Sequence, residues 1–380
     1  MAEPFVPPVY PYERLTEARA KAEGHEGGAV DLSIGTPCDP PPAAALAALA
    51  TADQSNPMAP LGSARGYPAS VGSAGFRDAA ASWLQRRFDV DVSPDGLAAC
   101  VGTKEFVGTL PQWLRLRQPE RDTVLYPEVA YPTYEMGAIL AGCRAVPVKV
   151  DAEWRLDLST VTDDDASRAL ALWVNSPGNP AGQLDDLEAA AAWGRARRVP
   201  VFSDECYAEF TWQGRPRTIL EHGLDGVVAV HSLSKRSNLA GVRVGFYTGD
   251  RDLVGYLSEV RKHVGLMVAG PVQAAAAAAY NDDAHVVEQR ARYEARLFLG
   301  RAILEAGGCQ VALPAGGFYL WARAPSGDAW GYTERLAADG GALVSPGDIY
   351  GAAGAGWVRL AVVQPEDRLR LVLRRLGHDG

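Results

Sequence analysis

The chain has 380 residues, 47% apolar and 22% charged, with a formal net charge of −9. That balance belongs to a soluble globular protein too long for one small core, so a large domain with a smaller companion is expected. No basic patch interleaved with aromatics and no apolar run of membrane-spanning length is present, so neither nucleic acid nor a membrane is an expected partner.

The opening MAEPFVPPVYPYERL lacks the basic start and apolar centre of an export signal, and a cytoplasmic location is the expectation. Its prolines, with those of GTPCDPPP, predict extended chain, and residues 1–44 are expected to join the smaller domain. The five cysteines, at 38, 100, 143, 206 and 309, are far apart with no C-x-x-C pair. They are expected to be reduced and structural, and no metal site is expected.

From residue 45 onward, short β-branched runs alternate with amphipathic stretches, the pattern of a parallel sheet covered by helices. In VGSAGFRDAAASWLQRRF, a helix would place Phe76, Ala79, Ala80, Trp83 and Leu84 on one face. Seven strands are predicted at LAACV, TVLYP, RAVPVKV, ALALWVNSP, VPVFSDE, GVVAVHSLS and VRVGFYTG, making a large α/β domain over residues 45–283. Two helices split by the NDD turn come next. GGFYLWARA, a helix near 328–338, GALVSPG, WVRLAVV and a last helix then form a smaller α+β domain over residues 284–380.

Ligands of open α/β sheets sit outside the carboxyl ends of the strands, so the residues just past each strand are the candidates for binding. After the first comes GTKEF, where Gly102, Thr103 and Lys104 lead into a helix whose free N–H groups suit a phosphate. Tyr131 offers an aromatic face, Asn179 an amide in NSPGNPAG, and Asp204 and Tyr207 a carboxylate and a phenol in SDECY. HSLSKRS supplies Ser232, Ser234 and Lys235, and Arg243 is read as lying on its own strand. A phosphorylated, planar aromatic aldehyde with a ring nitrogen would use all of these groups.

The combination of S-L-S-K, an arginine eight positions on, N-P-A-G and D-E-x-Y resembles the class I/II aminotransferases of the fold-type I pyridoxal 5'-phosphate (PLP) enzymes. The resemblance implies their α/β transferase fold, with a seven-stranded, mostly parallel sheet. It also implies that Lys235 carries the coenzyme and, once released, moves the substrate α-proton. Asp204 would pair with the ring nitrogen. By the same resemblance Asn179 and Tyr207 bind the phenolate oxygen, Tyr131 stacks on the ring, and Thr103, Ser232, Ser234 and Arg243 hold the phosphate. Tyr67 matches a tyrosine that reaches the neighbouring subunit's phosphate, which implies a homodimer with shared sites. Arg359, within the apolar WVRLAVV, resembles the arginine that grips the substrate α-carboxylate, and Gly35 matches the segment that closes over it.

Each of these side chains has a plainer reading: a solvated lysine, a helix-capping aspartate, half-buried tyrosines, an arginine in a structural ion pair. His231 is read as a packing residue, and the GAAGAG glycines as a loop. The segments HSLSKRSNLAGVRVGF, GGFYLWARAP and GALVSPGDIYG further resemble succinyldiaminopimelate transaminases of high-GC bacteria. That implies amino-group transfer between glutamate and N-succinyl-2-amino-6-oxopimelate, with 2-oxoglutarate as partner oxo acid. Lys104, Arg236 and Arg65 are candidates for the distal carboxylate. Other aminotransferases (aspartate, aromatic or LL-diaminopimelate), a carbon–sulfur lyase, and a PLP-binding regulatory module without turnover remain alternatives.

Overall fold

A computed structural model describes residues 5–51 and 66–378. The chain divides into two compact units: Thr36–Tyr293 with Pro314–Gly317, and Met1–Gly35 with Glu294–Leu313 and Phe318–Gly380. The sequence pattern had suggested divisions after residues 44 and 283. Among the described residues no helix is long and apolar enough to cross a membrane.

The larger unit is built on seven strands: β1 (Leu97–Cys100), β2 (Thr123–Pro127), β3 (Arg144–Val148), β4 (Ala169–Asn175), β5 (Val201–Asp204), β6 (Val227–Ser232) and β7 (Gly245–Gly249). They lie in the order β1-β7-β6-β5-β4-β2-β3. The pairs β2–β3, β2–β4, β4–β5 and β5–β6 are parallel, whereas β7 runs antiparallel to β6 and to β1. Successive residues point to opposite faces. Leu97 and Ala99 join one core cluster with Trp83, Leu172, Val201 and Val227, while Ala98 and Cys100 join another with Phe106, Trp173, Phe202 and Val228. Both faces are buried, which is why these strands appear as unbroken apolar runs.

The helices that bear on the site are α1 (Ala74–Phe88), α2 (Thr103–Arg117), α3 (Thr133–Leu140), α4 (Leu233–Arg236) and α5 (Ala284–Ala306). The predicted face of α1 is buried as expected: Phe76, Ala79, Ala80, Trp83 and Leu84 are all in the core. His231 is also buried, edge-on to the Trp83 ring at 5.0 Å.

In the smaller unit, β8 (Tyr319–Arg323), β9 (Ser345–Pro346) and β10 (Trp357–Ala361) form an antiparallel sheet in the order β9-β10-β8. GALVSPG does not make one strand. Ala342–Leu343 pairs in parallel with Val30–Asp31, and Ser345–Pro346 pairs with β10. Val344 is the residue at which the chain leaves one sheet for the other, so each short strand satisfies backbone groups that a single straight strand would leave open.

Candidate active site

The parallel strands bring their last residues to one edge of the sheet, and polar side chains collect there. Asp204 ends β5 and is 7% exposed. One carboxylate oxygen accepts the backbone N–H of Cys206 at 3.2 Å, and the other accepts the phenol O–H of Tyr134 at 2.9 Å. Burial pushes this carboxyl above its usual range, and the two hydrogen bonds and the nearby Lys235 charge only partly oppose it. The bond to Cys206 is a local turn contact and not a helix cap, because the short helical turn that follows begins after Tyr207 with no side-chain cap. An ionised carboxylate has about four lone-pair positions, so two donors leave room for a third.

Asn175, at the end of β4, shapes the neighbouring turn. Its amide donates to the Asp204 carbonyl at 2.8 Å and accepts the Asn179 N–H at 2.8 Å. Asn179 and Tyr207 are both 7% exposed: Tyr207 follows Asp204 in the chain, and Asn179 follows Asn175, the residue that pairs with Asp204 in the sheet.

At the β1 edge, Gly102 precedes α2 with φ 75° and no side chain caps the helix. A Cβ on Gly102 would lie 2.2 Å from Nη2 of Arg243, so glycine is required for the guanidinium to approach this backbone. The free N–H groups of a 15-residue helix, its positive dipole end and an arginine thus meet in one place. Thr103 Oγ1 lies 3.4 Å from the Cys206 sulfur, tying this helix start to the Asp204 turn. Glu105, one turn in, takes a two-pronged pair from buried Arg261 at 2.7 and 2.6 Å, which fixes α2 in place. Ser232, at the end of β6, accepts the Ser234 N–H at 3.1 Å.

Arg243 is not on a strand. It sits in the left-handed region at φ 59°, two residues before β7. Because β7 runs against its neighbours, its amino end, not its carboxyl end, lies at the site edge, with Gly245 opposite both Ser232 and Cys100.

Lys235 lies in α4, directly after Ser234, and is half-buried. Its successor Arg236 is 2% exposed and is not a pocket-lining cation. Its guanidinium donates to Glu209 at 3.2 Å, to the Ala279 carbonyl at 2.8 Å and to Asp283 at 3.1 Å. Lys104 is exposed on the first turn of α2. Tyr131 is half-buried, with its ring edge-on to Tyr134 at 5.9 Å. Tyr67 is 97% exposed in the single chain. Arg65 lies outside the described residues.

Arg359 and Gly35 belong to the smaller unit. Arg359 is 1% exposed in β10, with its guanidinium 4.2 Å from the Tyr319 ring centre and 4.7 Å from that of Tyr350. It donates to the Ser33 carbonyl and, at 3.4 Å, to the Tyr12 hydroxyl. A Cβ on Gly35 would come 2.0 Å from the Tyr319 hydroxyl. Glycine is needed at 35 so that this phenol can pack against bare backbone.

Tyr134, Asn175 and Glu105 do not stand out in the sequence. The one available signal is Y-P-T-Y, which sets a second tyrosine one helical turn after Tyr131.

A family model for aminotransferase class I and II matches residues 28–376. The chain belongs to that family. Among its relatives, the 4-dedimethylamino-4-oxo-anhydrotetracycline transaminase OxyQ of Streptomyces rimosus is 40% identical over 97% of this chain and 99% of its own length. The LL-diaminopimelate aminotransferase of Aquifex aeolicus is 34% identical over 96% of each chain. A solved structure of a probable N-succinyldiaminopimelate aminotransferase from Thermus thermophilus superposes with a TM-score of 0.84 at 30% identity. It covers 96% of this chain and 99% of that one.

As a class I/II aminotransferase, the protein is a PLP-dependent enzyme of fold type I that acts on amino acids and 2-oxo acids. Its own residues fit that coenzyme. The Gly102–Arg243 approach at a helix start suits a phosphate, and the buried Asp204 suits a protonated ring nitrogen.

Proposed function

We propose that this aminotransferase passes an amino group between glutamate and N-succinyl-2-amino-6-oxopimelate, in the synthesis of diaminopimelate and lysine. The observation that carries the amino-acid side of this reading is Arg359, a buried guanidinium whose planar fork matches a carboxylate. The diaminopimelate side is supported by the resemblance carried by HSLSKRSNLAGVRVGF, GGFYLWARAP and GALVSPGDIYG. The names of the Aquifex and Thermus relatives point to the same class of substrate.

Bound PLP supplies an aldehyde to which the amino group attaches and a ring that draws electrons from the reacting carbon. The chain does the rest. Lys235 Nζ would hold the coenzyme and, when released, would take the proton from the substrate α-carbon and pass it to the coenzyme carbon. A base placed this way contributes about 10²–10⁴-fold. Asp204 holds the ring nitrogen's proton in place. Asn179 and Tyr207 would hold the phenolate oxygen of the ring, and Tyr131 would pack on the ring. Gly102, Thr103, Lys104, Ser232, Ser234 and Arg243 hold the phosphate. Arg359 takes the α-carboxylate, with Gly35 beside it. Tyr67, exposed in one chain, would reach the phosphate of a second copy, and the proposed working form is a homodimer with shared sites, placed in the cytoplasm.

A second reading has its own support. The relative at 40% identity is named for a transaminase of a tetracycline intermediate, so a large cyclic ketone is a competing acceptor. The test is a donor and acceptor panel: succinyl-diaminopimelate, LL-diaminopimelate, aspartate, an aromatic amino acid and cystathionine, each with 2-oxoglutarate, and glutamate with a polycyclic ketone. Preference for succinyl-diaminopimelate supports the proposal. Preference for the ketone supports the second reading, and pyruvate release from cystathionine would mark a lyase and overturn both.

A further inference from the structure

The Arg359 guanidinium is held by three tyrosines that come from distant parts of the chain. Tyr319, from β8, lies against it at 4.2 Å and Tyr350 at 4.7 Å. The Tyr319 ring is itself fixed by the approach of its hydroxyl to Gly35. Tyr350 is held edge-on to Trp321 at 6.1 Å, and Trp321 stacks on Trp357 at 5.7 Å.

Tyr12 adds a polar contact at the edge of the guanidinium. Its hydroxyl lies 3.4 Å from Nη2 of Arg359 and 3.1 Å from the Tyr350 hydroxyl. The turn carrying Tyr12 is pinned two residues on. Arg14 pairs with Asp348 at 3.1 Å and lies 4.4 Å from the Trp330 ring, while the Trp330 N–H donates to the same Asp348 at 3.1 Å.

Resting on the reading that Arg359 takes the substrate carboxylate, we infer that Tyr319, Tyr350 and Tyr12 are positioning residues that set the specificity of that arginine. Aromatic rings bind a cation through their faces and most strongly where water is excluded, as it is from a guanidinium 1% exposed. Two rings against the guanidinium fix where it sits and the plane in which it can meet a planar carboxylate. Tyr12 and the Ser33 carbonyl engage Nη2, which limits the direction from which that carboxylate approaches.

The test compares holoenzymes carrying Tyr350→Leu, Tyr350→Phe, Tyr12→Phe and Arg359→Ala. The probe is α-methylglutamate, which has the carboxylate but no removable α-hydrogen, and binding is followed by coenzyme absorbance. KM and kcat for glutamate are measured alongside. Tyr350→Leu is expected to weaken probe binding and raise KM about tenfold, the size of one desolvated cation–π contact, with kcat within about twofold. Tyr350→Phe keeps the ring and is expected to stay within about twofold of the parent. Tyr12→Phe, which removes a single hydroxyl, is expected to weaken binding about threefold, and it decides the matter if Tyr350→Leu does not fold. Unchanged probe binding in both Tyr350→Leu and Tyr12→Phe, with Arg359→Ala impaired, would overturn the inference and leave the Arg359 reading standing. Unchanged binding in Arg359→Ala would overturn the reading beneath it.

Discussion

The phenol of Tyr134 donates a 2.9 Å hydrogen bond to the buried Asp204 carboxylate, across 70 residues of chain. Tyr134 is locked by stacking on Trp173, with ring centres 5.0 Å apart. Hydrogen bonds to the charged form of an acid lower its pKa, and here the bond works against burial, which raises it. Tyr134→Phe should therefore push Asp204 further up and leave it a weaker partner for a ring nitrogen. Losing one bond to a buried charge costs about 1.5–3 kcal/mol, so PLP affinity is expected to fall at least tenfold, read by absorbance titration.

Asp204→Ala removes the counter-charge outright. Weak coenzyme retention and a fall in rate larger than that of Tyr134→Phe are expected, read from the absorbance of the purified protein and from glutamate turnover. Activity equal to the parent would rule out a ring nitrogen kept protonated by this carboxylate.

Gly102→Ala tests the phosphate end. The new methyl would meet the Arg243 guanidinium at 2.2 Å, and a residue with a Cβ is strained at φ 75°. The expected result is at least tenfold weaker binding of PLP with little change in affinity for pyridoxal, which lacks the phosphate. Equal loss for both would place the damage elsewhere.

Beside Asp204, Glu205 and His231 form a buried pair 3.2 Å apart. Burial pushes Glu205 up to about 8, with the Asp204 charge adding to it, and pushes His231 down to about 3. Between their ordinary values of 4.5 and 6.5, the folded pair holds one proton, on Glu205, and the unfolded pair also holds one, on the imidazole. The pair then gives stability no slope. Above 6.5 the unfolded chain loses its proton while the folded one keeps it to about 8, so stability falls with rising pH. Below 4.5 the unfolded chain gains a second proton that the folded His231 refuses, so stability falls toward acid. Glu205→Gln should gain on the parent by about 1.4 kcal/mol per pH unit between 6.5 and 8, measured by denaturant unfolding. A constant difference across that range would show Glu205 ionised in the folded protein.

Much of this arrangement is legible in the chain. The seven apolar runs are the seven strands, and Asn179, Asp204, Ser232 and Lys235 follow or end strands at the same sheet edge. Arg243 is misplaced by its sequence because an apolar run carries no sign of its direction, and only the antiparallel pairing of β7 shows which of its ends faces the site. Arg236 has the look of a loop cation, but its partners Glu209, Ala279 and Asp283 lie 27 to 47 residues away and cannot be paired from sequence. Tyr12, in a proline-rich stretch, and Tyr319, in a strand, give no hint of sharing one guanidinium. Non-local polar contacts of this kind have no periodicity to announce them.

Every role assigned to the site depends on Lys235 being the amine that holds the coenzyme. The chain has only five lysines, at 21, 104, 149, 235 and 262, so few other amines could do so. Borohydride reduction of the holoenzyme fixes the coenzyme to the lysine that carries it, and peptide mass spectrometry then locates the label. The label is expected on the peptide containing Lys235 and on no other. A label on Lys104, or none on Lys235, would contradict that assignment and the mechanism built on it.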